Sequence, residues 1–157
     1  MNTIATLPVK ERRALFNETG VRMGLPPFHI EKDFWVCWAL AVLFDNAEVG
    51  PHLTFRGGTS LSKGWGLIER FSEDIDLAMA RAWFGVLKDP AEKGIVSAER
   101  DRRLKGLRDE CRRMITQVLC PVIEKEAGTL KEPMKIEVEP LDKARDPFCI
   151  YTLLPVR

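Results

Sequence analysis

The chain has 157 residues, 45% of them hydrophobic, with 24 Lys and Arg against 23 Asp and Glu and a formal net charge of +1. That is enough for one ordinary domain with a real core, and it excludes the strong global positive field of a general nucleic-acid binder. The longest apolar run, Phe34 to Phe44, is shorter than the roughly 20 residues a membrane-spanning helix needs.

The opening stretch MNTIATLPVKERR lacks the basic-then-apolar layout of an export signal. A first amphipathic helix is expected from about Pro8 to Met23, closed by Gly24 and by the prolines that follow. A second should run from near Phe28 to about Asp45. Its apolar residues, among them Ile30, Phe34, Trp38, Leu40 and Leu43, cover most of its circumference, so it must be buried on more than one side. Trp35 and Trp38 read as core.

The segment HLTF, between Gly50-Pro51 and Gly57-Gly58, reads as a strand, and Thr59 to Arg70 as a short helix or helical turn. In DIDLAMA, Asp74 and Asp76 fall on one side and Ile75 and Leu77 on the other, which is the alternation of a second strand. Ala80 to Ser97 is mostly loop, with a turn of helix at Trp83 and Phe84. From about Ala98 to Ala127 a long helical stripe carries Leu104, Leu107, Cys111, Ile115, Leu119 and Ile123. Pro121 inside it predicts a kink near Gln117 or a break there. MKIEVE and FCIYTLLPV supply two more strands.

The expected fold class is α/β (α+β): a mixed β-sheet with packed helices. It is organised as N-terminal helices (1–50), a strand, glycine corner, short helix and Asp-x-Asp strand (51–80), a long helix (98–127) and C-terminal strands (134–157).

Four cysteines, Cys37, Cys111, Cys120 and Cys149, include no CxxC pair, and only His29 and His52 offer imidazoles. A zinc site is not expected, and free thiols suit a reducing cytoplasm. Between Glu99 and Arg113, seven cations alternate with acids. That pattern is either a solvated helix face or a ridge that touches phosphates.

The chemistry concentrates between Phe55 and Ala80. Two strand residues at i and i+2 share a face, about 6.5–7 Å apart, and two carboxylates so placed repel unless a cation lies between them. Magnesium suits that arrangement. Gly57 and Gly58 let the backbone turn sharply and approach a ligand. The N–H groups of Thr59, Ser60 and Leu61 would open a helix, where anions bind. Ser60 and Ser62 add hydroxyls, and Lys63 adds a point charge suited to phosphate. Each half alone also fits a capped strand-to-helix turn or a strand with one wet face. No Walker phosphate loop is present.

The run FRGGTSLSKGWGLIERFSEDIDL resembles the AbiEii/AbiGii-type nucleotidyltransferase toxins of bacterial toxin–antitoxin and abortive-infection systems, a branch of the DNA-polymerase-β-like superfamily. IEKDFWVCWAL (Ile30 to Leu40) is similar to the helix preceding that family's core, so the likeness covers Phe28 to Met79. It implies that Gly57, Gly58, Thr59 and Ser60 bind the nucleotide and that Lys63 neutralises its triphosphate. It implies that Asp74 and Asp76 hold Mg2+ and are catalytic with Lys63. Glu69, Arg70, Ser72 and Glu73 match the run that shapes the loop.

The reaction so implied is transfer of a nucleotide from a nucleoside triphosphate to an acceptor, tRNA for some members, with an antitoxin protein as partner. The superfamily's third carboxylate stands on a later strand and is not matched here. Glu137 and Glu139 are substitutes or merely the wet face of a strand. The alternative expectation is a truncated or degenerate, inactive domain that acts through protein contacts.

Overall fold

The computed structural model describes residues 1–69, 74–85, 88–131, 134–138 and 151–155. Three helices come first: α1 (Asn2–Ala5), α2 (Val9–Met23) and α3 (Pro27–Phe44). α2 ends as expected, with Gly24 in the left-handed conformation at φ 65° and its N–H on the Gly20 carbonyl. Pro27 then opens α3 at its first position, where a missing N–H costs nothing.

Sequence periodicity does not foresee α1. It is four residues long, and tertiary contact holds it. Arg12, on α2, is buried and donates from Nη1 to the carbonyls of Ala5 (3.2 Å) and Leu7 (3.1 Å). The same guanidinium lies 5.2 Å from the Trp35 ring centroid.

α3 is the central element. Trp35, Trp38, Ala39 and Leu43 are buried, in a cluster that also takes in Leu53, Ile115, Leu119 and Ile123. The two tryptophans meet edge to face at 5.7 Å, which fits their expected core role.

Strand β1 (Leu53–Arg56) pairs antiparallel with β2 (Asp76–Met79), Phe55 opposite Leu77 and Arg56 opposite Asp76. Between them, a one-turn helix α4 (Gly57–Thr59) runs into a π-helical turn at Ser60–Gly64. The second strand begins at Asp76, and Asp74 stands just ahead of it. A 3-10 turn at Arg81–Phe84 holds Trp83 and Phe84, as expected.

The long helix is interrupted where Pro121 predicts. α5 (Ser97–Met114) passes into a π turn at Ile115–Leu119 and then α6 (Cys120–Ala127). Proline cannot donate to the carbonyl four residues back, at Gln117, and the wider turn absorbs that lost bond. β3 (Met134–Val138) pairs antiparallel with β4 (Tyr151–Pro155). Helices and strands thus mix as the sequence predicts. Among the described residues, the strands form two antiparallel ribbons, β1–β2 and β3–β4, in place of one mixed sheet.

A glycine corner closed on an acidic strand

The corner starts at Gly57, which follows the last residue of β1 and has φ 72°. Arg56 is opposite Asp76 in the ladder, so Gly57 arrives beside the Asp76 side chain. A Cβ built on Gly57 would stand 2.7 Å from Asp76 Cγ and 2.9 Å from its Cβ, and closer still to Oδ2. Contacts below 3.0 Å are not tolerated, so only glycine fits without displacing the carboxylate.

A second tie reaches Asp74. Thr59 is buried, and its Oγ1 donates to the Asp74 carbonyl at 2.5 Å. The corner is therefore joined to both aspartates, through space at Asp76 and through a hydrogen bond at Asp74. The other hydroxyls brace the turn internally: Ser60 Oγ donates to the Gly57 carbonyl at 3.0 Å and Ser62 Oγ to the Thr59 carbonyl at 3.2 Å. Asp74 and Asp76 are exposed.

Lys63 makes a contact that the sequence does not predict. Its ammonium pairs with the Asp33 carboxylate on α3. Cys37 lies one turn further along that helix. Burial pushes the Cys37 thiol pKa up, Lys63 draws it down, and Asp33 raises it. The available signal for Asp33 is an acid at the edge of the apolar run Phe34 to Phe44.

Glu69 is exposed, whereas Arg70, Ser72, Glu73 and Glu139 lie outside the described residues. Glu137 is in β3, opposite Thr152. Among the described residues, no group of three or more His, Cys, Asp or Glu side chains is arranged to hold a metal ion. The basic stretch of α5 is laced with local ion pairs: Arg102 and Arg103 with Glu99, and Arg113 with Glu110. For Arg102 and Arg113 the solvated-face reading is the one that applies, whereas Arg103 is largely covered and also reaches Glu92 and the Asp89 carbonyl.

A family model described as "Nucleotidyl transferase AbiEii toxin, Type IV TA system" matches residues 38–142, more than half of the chain. The chain belongs to the AbiEii nucleotidyltransferase toxin family. No curated protein matches it, and no solved structure does.

The AbiEii match contains the whole glycine corner and both aspartates, and it runs on through α5, α6 and β3. It thus reaches well past Met79, where the motif-level resemblance ends, and it starts inside α3, leaving Asp33 outside. Membership makes this a nucleotidyltransferase toxin of a type IV toxin–antitoxin system, a class that implies a nucleotide substrate and an antitoxin partner. Among the described residues, no helix is long and apolar enough to cross a membrane.

Proposed function

We propose that this AbiEii-family chain transfers a nucleotide from a magnesium-bound nucleoside triphosphate to a hydroxyl of an RNA acceptor, with tRNA as the acceptor class, in the cytoplasm. The observation that carries this reading is the approach of Gly57 to the Asp76 carboxylate. It brings the phosphate-binding type of corner and the metal-binding type of acid to one spot.

Magnesium commonly takes one or two carboxylates from a protein and completes its shell with substrate phosphates and water. Asp74 and Asp76 supply that donor set, and both are exposed. When bound, the metal contributes charge neutralisation on the polyphosphate.

Gly57 and Gly58 keep side chains out of the way, so that backbone N–H groups can approach phosphate oxygens. Thr59 holds the turn against Asp74 and so fixes the spacing of corner and acids. Ser60 and Lys63 bind the triphosphate. Lys63 reaches it by exchanging the Asp33 carboxylate for phosphate oxygens, one anionic partner for another. The acceptor oxygen forms a bond to the α-phosphorus as the bond to pyrophosphate breaks; pyrophosphate departs and the hydroxyl proton passes to solvent water. The protein's share is alignment of the two oxygens and stabilisation of the charge.

The test is a melting-temperature shift with each of the four nucleoside triphosphates plus magnesium. At least one should raise the melting temperature, and Asp74→Ala or Asp76→Ala should abolish the rise. No shift with any nucleotide would refute the reading.

A second reading rests on the lack of a third acid beside the pair among the described residues: a domain that keeps the fold and acts through protein contacts. Transfer of labelled nucleotide to total RNA separates the two, since only the first yields labelled product.

A further inference from the structure

Four tryptophans occur in the chain. Trp35 and Trp38 are buried in the core. Trp83 stacks on His52, with centroids 4.8 Å apart and planes 14° from parallel. Trp65 is different: it is 74% exposed. Leu61, Leu67 and Ile68 are exposed around it in sequence, so one short segment concentrates apolar surface that the fold does not use.

That segment is not loosely attached. The Trp65 N–H donates to the Ser60 carbonyl at 3.1 Å, and the Leu67 N–H donates to the Leu61 carbonyl at 2.9 Å. Trp65 is therefore carried on the same turn as Ser60 and Lys63, two residues beyond the lysine. An exposed indole on a hydrogen-bonded turn next to a polyphosphate corner has the properties of a stacking surface for a planar heterocycle. Every nucleobase has such a π-face, and stacking on an aromatic side chain is tolerant of base identity.

We propose that Trp65 is the platform on which the base of the incoming nucleoside triphosphate stacks. The proposal rests on the reading given under Proposed function and assigns the end of the substrate that the acids and the glycine corner do not touch. The triphosphate is gripped by charge, and the base by apolar contact. Because stacking strength grows with ring area, purine nucleotides depend on Trp65 more than pyrimidine nucleotides do. A protein partner covering the same surface would leave nucleotide affinity independent of Trp65.

The test measures affinity for ATP, GTP, CTP and UTP, and for inorganic tripolyphosphate, each with magnesium, in the wild type, Trp65→Ala and Trp65→Phe. Circular dichroism confirms the fold of each variant. Trp65→Ala should weaken ATP and GTP binding about 5- to 100-fold and leave tripolyphosphate within about twofold. Trp65→Phe should recover most of the loss. Unchanged nucleotide affinity in Trp65→Ala overturns the proposal. So does an equal loss for nucleotides and tripolyphosphate, which would mean that Trp65 acts through the corner and not on the base. A wild type that binds neither nucleotide nor tripolyphosphate defeats the underlying reading, and this proposal falls with it. Binding of both with no Trp65 dependence defeats the proposal alone.

Discussion

Gly57 stands where it does because the Asp76 carboxylate fills the space a Cβ would need. Gly57→Ala should therefore act in two ways. The left-handed backbone at φ 72° costs a non-glycine residue about 1–2 kcal/mol. The new methyl also forces the Asp76 carboxylate to rotate away. The expected result is a modest loss of stability in urea denaturation together with loss of the nucleotide-dependent melting shift. A variant that is less stable but keeps the full shift would show that Asp76 has no part in binding.

Thr59 tests the second tie. Thr59→Val keeps the shape and deletes the donor to the Asp74 carbonyl. Losing this part-buried hydrogen bond costs about 0.5–1.5 kcal/mol. Thr59→Ser should restore most of it. Equal stability of the Val and Ser variants in urea would show that the hydroxyl is immaterial.

Arg12 offers a prediction away from the site. Arg12→Met leaves the Ala5 and Leu7 carbonyls without their guanidinium donor and strips the cation from the Trp35 ring. The expected cost is about 2–4 kcal/mol. Hydrogen exchange should show the first helix released before the rest of the fold. Arg12→Lys should rescue poorly, since an ammonium cannot reproduce the planar fork.

Cys37 reports on the Lys63–Asp33 pair. Burial raises the Cys37 thiol pKa most, Lys63 draws it back down, and Asp33 adds to the rise. Lys63→Met should therefore slow alkylation of Cys37 at fixed pH near neutrality, and Asp33→Asn should speed it, because the thiolate is the reacting form. Peptide-resolved mass spectrometry reads the rates. The same rate in both variants would disprove the electrostatic coupling.

Acid should loosen the approach to α5. A hydrogen bond from Arg103 holds the Glu99 carboxyl below its usual range, and the Ala91 N–H and Arg81 do the same for Asp89. A carboxylate with a lowered folded-state pKa contributes stability that is fully present above its unfolded pKa and is lost as pH falls through the folded one. Carboxyl-carbon NMR titration should give both groups midpoints below those of ordinary exposed acids. Ordinary midpoints would dissolve this link.

Local signals were enough to read most of the fold. Gly24 ends α2, the glycine pair and Asp-x-Asp mark the two ends of the corner, and Pro121 announces the interruption of the long helix. All of these act through backbone geometry, which a few neighbouring residues determine. The sequence hides what is settled across distance. Asp33 meets Lys63 over a separation of 30 residues, and α1 persists because of Arg12 and not because of its own four residues. The strand pairing is also a tertiary matter: alternation shows that strands form, and not that those among the described residues pair as two ribbons.

The π turn at Ile115–Leu119 has a practical effect on the long helix. An α-helix advances about 100° per residue, so the wider turn rotates everything after it against everything before it. Ahead of it, only Met114 of α5 is buried; in and beyond it, Ile115, Leu119, Cys120, Ile123 and Ala127 all face inward. What looks like one rod is a solvent-washed handle fused to a core-seeking blade. Sequence drift should be tolerated in the handle and punished in the blade, and removing a single residue at the joint should tighten the wide turn to an ordinary helical one and leave the blade's apolar edge on the core.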